Sequence, residues 1–468
     1  MRIATNAIKT QQQDPHQGGN VLRVLKRRPG RWHGRGQLAR AARRPACPTW
    51  WLGAAALLWL LWGLQTLPAV PFHPDESTYL YMAADGAALL HHPQTLAYTG
   101  QTDLKTHYRL VNAPLSRTLF ALGLALHGQS PLAQDWDWSA SWEANVARGA
   151  LPSQAQLLAA RQVATLCVAL AGWLLALVAC RLGGGGLAWL TLVGFLLNPL
   201  VLLHGRRAMM EAPMLLGIAW LLWELTAEHP KPWRVGLALA WAIWAKYWTV
   251  ALWPVAWWVV WRRASSAAQR WRDLLVVSLL PVGVGIVLQP VLWQTPWQTL
   301  LAMVRERLQV TAAQQAAFRA VLPAYVPSTP WQRLGLLLGQ LYLAPLAYLD
   351  LGKYQAPLRA AIAAYDAHGF LHWGRGLWGA GVQLMLTGLG LLGMLRRARC
   401  KTFESEGWAW CVFGIAAAAQ WGWMLLTLPL AFQRYALPVL PFVVVWEAWG
   451  LWRIIQALLG WGKAINLR

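Results

Sequence analysis

Acidic residues are scarce in this chain, which has 18 Asp and Glu against 41 Lys and Arg in 468 residues. Only 13% of the residues are charged and 57% are hydrophobic, whereas soluble domains carry about 25% charged residues. The five cysteines show no CxxC pair and no metal-ligand spacing, which favours a structural role for them. No internal repeat of useful strength is present, which argues against transporters built from duplicated halves. These scarcities exclude an ordinary soluble protein.

Long hydrophobic runs are abundant, and they predict an all-α, polytopic membrane protein with about ten spans. The predicted spans lie near 50–70, 157–180, 186–204, 212–227, 234–247, 249–262, 273–293, 374–395, 408–429 and 435–456. Two further apolar stretches, 113–126 and 331–349, are predicted to be juxtamembrane helices on the outer face. The first is short for a span, and the second carries polar side chains.

The basic residues predict how the chain is oriented. Residues 1–48 are rich in Arg and Lys with Asp14 as the only acid, and the formal net charge of the chain is +23. By the positive-inside rule both termini are expected in the cytoplasm, in the inner (plasma) membrane. Residues 1–48 are interpreted as a disordered basic tail near anionic headgroups, and 49–468 as the transmembrane domain. The outer face then holds a first loop, 71–156, and a second region, 294–373.

Two adjacent acids, Asp75 and Glu76, follow the first predicted span directly, in the sequence PFHPDESTY. An ionisable group at a membrane face indicates function by default, because burying its charge in hydrocarbon costs roughly 2.5–3.5 kcal/mol. The alternative is that both acids cap the helix that follows, since acids favour helix N-termini. Capping does not exclude catalysis.

Four cations are predicted at the same membrane face as these acids: Arg206, Arg207, Lys246 and Arg434. The planar guanidinium of arginine suits bidentate contact with phosphate, so an anionic substrate is expected. The alternative for each cation is a side chain that only reaches the lipid headgroups.

The motifs resemble the C-type integral-membrane glycosyltransferases, a family that includes protein O-mannosyltransferases and the lipid A aminoarabinose transferases. The matching segments are HPDESxY at 73–79, NxPL at 112–115, RxxMxExP at 206–213 and RYxLPxLP at 434–441. Glu211 departs from the Asp that many relatives show. The resemblance covers most of residues 50–456 and implies a C-type fold with the active site on the extracytoplasmic face.

The resemblance also implies transfer of a sugar from a polyprenyl-phosphate carrier to a protein, lipid or glycan acceptor, with inversion. Asp75 would act as general base, because an acceptor hydroxyl is a poor nucleophile near neutral pH, and Glu76 would orient a substrate. The four cations would stabilise the leaving phosphate. Further substrate-binding residues are expected at five positions: Tyr79, Lys105, Asn112, Glu211 and Tyr435.

Alternatives to the transferase stay open. A transporter or flippase of a lipid-linked or anionic substrate could also use cations and a lipid groove. It should, however, show charged or helix-breaking positions at mid-bilayer, where this chain has mostly Leu, Ala, Val and Trp.

No nucleic-acid partner is expected. No metal site is predicted, although imidazole and carboxylate groups suit zinc or manganese. The histidines that could join Asp75 or Glu211 in such a site are His73, His91, His92, His107 and His204.

Overall fold

The computed structural model describes residues 49–367, 374–398 and 405–465. The predicted basic tail, residues 1–48, lies outside the described residues. The described part of the chain is helical and contains no β-strand, as the sequence predicts.

Nineteen α-helices are formed by the described residues. They are α1 (Thr49–Gln65), α2 (Pro74–Met82), α3 (Ala84–His91), α4 (Leu104–Val111), α5 (Pro114–Leu126), α6 (Trp142–Ala147), α7 (Gln154–Gly183), α8 (Gly185–Leu196), α9 (Pro199–His204), α10 (Glu211–Leu225), α11 (Pro232–Ala245), α12 (Trp253–Arg263), α13 (Ala267–Leu288), α14 (Pro296–Val321), α15 (Pro330–Leu338), α16 (Gln355–Asp366), α17 (Gly376–Ala398), α18 (Ser405–Thr427) and α19 (Leu440–Ile465).

Five helical segments among the described residues are long and apolar enough to cross a membrane by length and composition. They are Gln154–Gly183, Ala267–Leu288, Gly376–Ala398, Gly407–Thr427 and Gln433–Leu459. The count of about ten spans is therefore not confirmed and stays a prediction. The other predicted spans correspond to shorter helices, α1 and α8 to α12, of between 6 and 17 residues.

One predicted span, 186–204, is divided by the structure into α8 and α9. The division falls at Asn198-Pro199, where the Asn198 Oδ1 accepts a hydrogen bond from the backbone N–H of Leu200 at 3.0 Å. Proline disfavours helical backbone at the residue before it, and asparagine is a good N-cap, so a new helix begins here. The turn that follows α9 carries Arg206 and Arg207.

Helices α17 and α19 approach each other through glycine. A Cβ atom added to Gly390 would lie 1.9 Å from the backbone oxygen of Trp446, and one added to Gly450 would lie 2.2 Å from that of Leu386. Small residues let helix backbones come this close, which is typical of helix packing in membranes.

Replacing Gly390 by valine is expected to destabilise the protein by about 1–3 kcal/mol, because the new side chain overpacks the contact between α17 and α19. Loss of monodisperse protein on heating in detergent measures the effect. Gly381→Val is the matched control, since a Cβ at Gly381 on the same helix meets nothing within 4 Å. Equal thermal stability of the two variants would contradict the packing described.

Candidate active site

Asp75 lies in the first turn of α2 and is linked to Asp350 through Arg434. The Arg434 guanidinium donates to the Asp75 carboxylate through Nη1, and its Nη2 lies 2.6 Å from Asp350 Oδ2. The Asp75 side chain is 21% exposed, against 10% for Asp350 and Arg434. One arginine thus serves two carboxylates, and Asp75 is the more accessible of the two.

His73 sets the position of Asp75 and touches Asp350 as well. It is the N-cap of α2, and its Nδ1 accepts a hydrogen bond from the backbone N–H of Asp75 at 3.1 Å. A neutral His73 therefore carries its proton on Nε2, which lies 3.5 Å from Asp350 Oδ2. Burial alone would raise the pKa of Asp350, but the charge of Arg434 and the hydrogen bond from His73 lower it well below its usual range.

Glu76 is fully buried and fully hydrogen-bonded. Arg161 donates to both of its oxygens, from Nε at 2.8 Å and from Nη2 at 2.7 Å. The backbone N–H groups of Ala208 and His73 donate to it at 2.8 and 3.0 Å. Burial would raise the pKa of Glu76, but Arg161 and the other donors lower it below its usual value. The Glu76 carboxylate joins α2 to α7 and to the turn after α9.

Arg206 is buried among neutral partners. Its guanidinium donates to the Leu202 backbone oxygen at 2.7 Å, to Thr66 Oγ1 at 2.7 Å and to the Tyr365 hydroxyl at 3.1 Å. It also lies 5.4 Å from the centroid of the Trp62 ring. These contacts hold α9 to the end of α1 and to α16.

Arg207 is enclosed in a similar way. It donates to the backbone oxygens of Pro71 at 3.1 Å and of Tyr348 at 2.9 Å. Burial lowers the pKa of Arg207 to about 10, and the nearby charge of Glu76 opposes that shift. The structure therefore places two of the four predicted cations inside the protein, with their hydrogen bonds directed at backbone and hydroxyl groups.

Lys246 stands between two aromatic rings and one carboxylate. Its Nζ lies 2.7 Å from Glu211 Oε1, 4.7 Å from the Trp248 ring centroid and 5.3 Å from that of Tyr435. The residue is placed here because α11 ends at Ala245 and the backbone at Lys246 is extended.

Tyr435 brings the two remaining cations together. The Arg434 guanidinium carbon lies 5.5 Å from the Tyr435 ring centroid, so the ring has Lys246 and Arg434 near it. The Tyr435 ring also packs edge-on against Trp248 at 4.5 Å. We call this connected group the base–cation cluster; its members are Asp75, Asp350, Arg434, Tyr435, Lys246 and Glu211.

Tyr79 lies beside the base–cation cluster. Its ring is buried and packs edge-on against Phe120 at 6.1 Å. Burial, together with the charges of Glu211 and Asp75, raises the pKa of the Tyr79 hydroxyl well above its usual value, so this group stays a hydrogen-bond donor.

Lys105 and Asn112 have their described contacts elsewhere. Lys105 Nζ lies 5.1 Å from the Tyr81 ring centroid. Asn112 Nδ2 donates to Met82 Sδ at 3.6 Å, and the Asn112 backbone oxygen accepts from the Tyr247 hydroxyl at 3.4 Å. Among the described contacts, neither side chain touches the base–cation cluster.

Asp135 and Tyr108 form a second polar pair near Asp75, and the sequence motifs do not include it. The Tyr108 hydroxyl donates to Asp135 Oδ2 at 2.5 Å. Burial raises the pKa of both groups, and the charge of Asp75 contributes to each shift. The sequence feature that could have identified this pair is the pattern DWDW at 135–138, which places two acids and two tryptophans in one loop.

The five candidate histidines do not all come together at one site. The described residues contain no group of three or more His, Cys, Asp or Glu that could hold a metal ion. His107 Nδ1 lies 2.8 Å from Glu306 Oε2, and His204 Nε2 lies 3.3 Å from Gln433 Oε1. His91 and His92 are exposed at the end of α3.

A surface groove of about 610 Å³ is lined by apolar residues. It starts at Val250, in the turn Tyr247–Leu252 that follows Lys246, and extends between α12 and α18. Its walls include Trp253, Trp257 and Trp423. A hydrophobic chain is the kind of ligand that such a groove fits.

No protein-family model and no curated protein matches the chain. Among solved structures it is similar to ArnT from Cupriavidus metallidurans bound to undecaprenyl phosphate, with 15% identity over 87% of this chain and 61% of that one and a TM-score of 0.48. It is also similar to the S. cerevisiae protein O-mannosyltransferase Pmt1-Pmt2 complex bound to the sugar donor, with 18% identity, 57% and 36% coverage and a TM-score of 0.38.

A third similar structure is the Archaeoglobus fulgidus oligosaccharyltransferase in complex with zinc and sulfate, with 13% identity, 85% and 48% coverage and a TM-score of 0.43. The chain thus spans between 36% and 61% of the length of these three proteins. All three are C-type glycosyltransferases, the family that the four sequence motifs of this chain resemble.

Proposed function

We propose that this chain is a membrane glycosyltransferase that moves a sugar from a polyprenyl-phosphate carrier to a hydroxyl acceptor at the extracytoplasmic face. The observation that supports the proposal most is the base–cation cluster, in which an accessible carboxylate, Asp75, lies beside the buried cations Arg434 and Lys246. Such a transfer needs a base for the acceptor and positive charge for the leaving phosphate.

Asp75 is the proposed general base. The acceptor oxygen attacks the anomeric carbon while its proton passes to the Asp75 carboxylate. The bond between that carbon and the phosphate oxygen breaks, and the electron pair leaves on the polyprenyl phosphate. Before substrate binds, Arg434 pairs with Asp75, and Asp350 offers the same guanidinium a second partner. Because the attack is a single displacement, the product has the inverted anomeric configuration.

Arg434 and Lys246 are the proposed phosphate-binding cations. Both lie at the Tyr435 ring in a largely water-free setting, where fixed charges act most strongly on the growing charge of the leaving group. Arg206 and Arg207 were predicted for the same role from the sequence. Their buried bonds to backbone and hydroxyl groups favour a different role, holding the turn after α9 in place.

Glu76 was predicted as a catalytic residue, and its surroundings favour a structural role instead. Both carboxylate oxygens already accept hydrogen bonds from Arg161 and from backbone N–H groups. We propose that Glu76 positions α2, and therefore Asp75, without touching substrate.

The isoprenoid chain of the donor is proposed to lie in the apolar groove between α12 and α18. The groove starts at Val250, four positions after Lys246, so a phosphate at Lys246 and a hydrocarbon tail in the groove suit one amphipathic ligand.

Replacing Lys246 by glutamine is expected to lower donor turnover roughly 100-fold, because one fixed cation at the leaving phosphate is lost. Release of polyprenyl phosphate from a polyprenyl-phosphate sugar by purified protein in vesicles measures the change. Lys231→Gln, an exposed lysine at the start of α11, is the matched control.

The single substitution also leaves Glu211 as an unpaired buried charge, so a second variant separates folding from catalysis. Lys246→Gln combined with Glu211→Gln removes both charges of the pair. This double variant is expected to fold and still to turn over donor slowly. Turnover equal to that of the native protein would contradict the role of Lys246.

The proposal is tested with a panel of polyprenyl-phosphate sugars in vesicles that contain the purified protein. A transferase consumes one donor and releases polyprenyl phosphate. A transporter instead moves the intact lipid-linked sugar to the other leaflet, which a membrane-impermeant lectin detects. Movement without consumption would overturn the proposed function in favour of transport.

A further inference from the structure

The loop from Trp136 to Ser141 is more heavily cross-linked by hydrogen bonds than an ordinary surface loop. Asp137 Oδ1 accepts from the Ser139 backbone N–H at 2.8 Å and from its hydroxyl at 2.6 Å, and Oδ2 accepts from Arg148 at 3.0 Å. Asn145 closes the loop, because it accepts from the Asp137 N–H at 2.8 Å and donates to the Asp137 and Ser141 backbone oxygens at 2.9 Å. The loop therefore has one well-defined shape.

A distant segment of the chain fixes this loop to the candidate active site. The Tyr354 hydroxyl is directed at the backbone oxygens of Asp137, Trp138 and Ala140, at 3.3, 3.3 and 3.0 Å. Lys353 Nζ also donates to the Trp138 backbone oxygen. These two residues closely follow Asp350 of the base–cation cluster, so one segment of the chain both contacts the loop and supplies a carboxylate to the cluster.

Trp138 is presented by this loop next to the site. Its ring centroid lies 6.3 Å from that of His73 and 6.0 Å from that of Tyr354. His73 in turn contacts the Asp75 backbone and the Asp350 carboxylate, so Trp138 lies one side chain away from the proposed base. Trp136, two positions earlier, is buried with 2% exposure, whereas Trp138 is only half-buried.

We propose that Trp138 is the platform on which a pyranose ring of the acceptor stacks, so that the acceptor is a glycan or glycolipid. This inference rests on the proposed function, because it assigns the acceptor of the same site. A pyranose ring has an apolar face of C–H groups that fits a flat indole, and a rim of hydroxyls that needs polar partners. Asp137, which precedes Trp138 in the loop, and Arg148, which is paired with Asp137, have side chains that are 38% and 47% exposed.

Polar groups of both kinds are therefore available to the hydroxyl rim. The Asp137 carboxylate accepts hydrogen bonds from sugar hydroxyls, and the Arg148 guanidinium donates to them. A rigid aromatic side chain also loses little conformational entropy when a ligand binds. A peptide acceptor would not need this combination of a flat aromatic face and charged side chains. Binding of a peptide is therefore one of the alternative outcomes that the experiment below distinguishes.

Saturation-transfer NMR with methyl glycosides tests the inference on the full-length protein in nanodiscs. The native protein is expected to saturate the ring C–H protons of one glycoside, and Trp138→Ala to reduce this signal about five-fold or more. Trp138→Phe, which keeps an aromatic face, is expected to retain most of it. Trp331→Ala is the matched control, since Trp331 is a highly exposed tryptophan at the start of α15.

Slow donor consumption with water as the acceptor distinguishes failure of this inference from failure of the proposed function. The native protein is expected to consume a polyprenyl-phosphate sugar slowly in water. If the native protein consumes donor but no glycoside signal depends on Trp138, the inference of a carbohydrate acceptor is wrong and the proposed function stands. The same conclusion follows if a serine-containing peptide binds instead of a glycoside. Absence of donor consumption in the native protein would overturn the proposed function, whereas the glycoside signal would still report on Trp138.

Discussion

Replacing Asp75 by asparagine is expected to lower turnover of a polyprenyl-phosphate sugar at least about 100-fold, the lower range for loss of a general base. Asparagine keeps the size of the side chain and still accepts a hydrogen bond from Arg434, but it cannot take the proton of an acceptor hydroxyl. The fold is expected to be unchanged, since the contact with Arg434 and the N-terminal turn of α2 remain. Initial rates at equal amounts of folded protein measure the effect.

Asp103→Asn is the matched control for this substitution. Asp103 is an exposed N-cap of α4, and asparagine caps helices as well as aspartate does, so this variant is expected to keep native turnover. If Asp75→Asn retained turnover within a few-fold of the native protein while Asp103→Asn behaved in the same way, Asp75 would not be the base.

Replacing Glu76 by glutamine is expected to destabilise the folded protein by about 3–5 kcal/mol, the cost of removing one partner from a buried ion pair. Arg161, whose side chain is 3% exposed, would keep its charge without a charged partner. The four N–H donors that now bind two carboxylate oxygens would have only one neutral carbonyl oxygen left to bind. Unfolding in mixed detergent and denaturant measures the change. Glu143→Gln, at an exposed position in the first turn of α6, is expected to shift stability little.

The pH dependence of this effect has a defined sign. The folded-state pKa of Glu76 is lowered below its ordinary value of 4.5, so the stabilisation is present above about pH 4.5 and is lost as the pH falls through the folded pKa. The difference in stability between the native protein and Glu76→Gln is therefore expected to be largest near pH 7 and to shrink under acid conditions. A difference that stayed constant from pH 7 to strongly acidic pH would contradict the ionic role of Glu76.

The helical class of this chain and its candidate base were predictable from local sequence. Long apolar runs indicate helices. One interpretation of the motif was that Asp75 and Glu76 both cap the helix that follows; in the structure Glu76 forms the capping box with His73, and the Asp75 side chain pairs with Arg434 instead. The division of the 186–204 run was signalled by Asn198-Pro199, but the apolar character of the whole run favoured one span. When spans are predicted from sequence, a long hydrophobic run outweighs a short polar interruption within it.

The partners of the acids could not be predicted, because they come from distant parts of the chain. Arg161 lies 85 positions from Glu76, and Arg434 lies 359 positions from Asp75. Sequence spacing indicates neighbours only within one helix or one turn. Asp350 was expected only as part of the second outer region, 294–373, yet it shares Arg434 with Asp75.

The most direct test of the central claim is phosphorus NMR of a polyprenyl-phosphate sugar incubated with the purified protein in ¹⁸O-enriched water. The mechanism predicts that the phosphodiester signal is replaced by that of polyprenyl phosphate without incorporated ¹⁸O, since the bond to the anomeric carbon breaks. Asp75→Asn should leave the phosphodiester intact over the same period. Incorporation of ¹⁸O into the phosphate, or no consumption of any donor by the native protein, would contradict transfer of the sugar by Asp75 and its neighbouring cations.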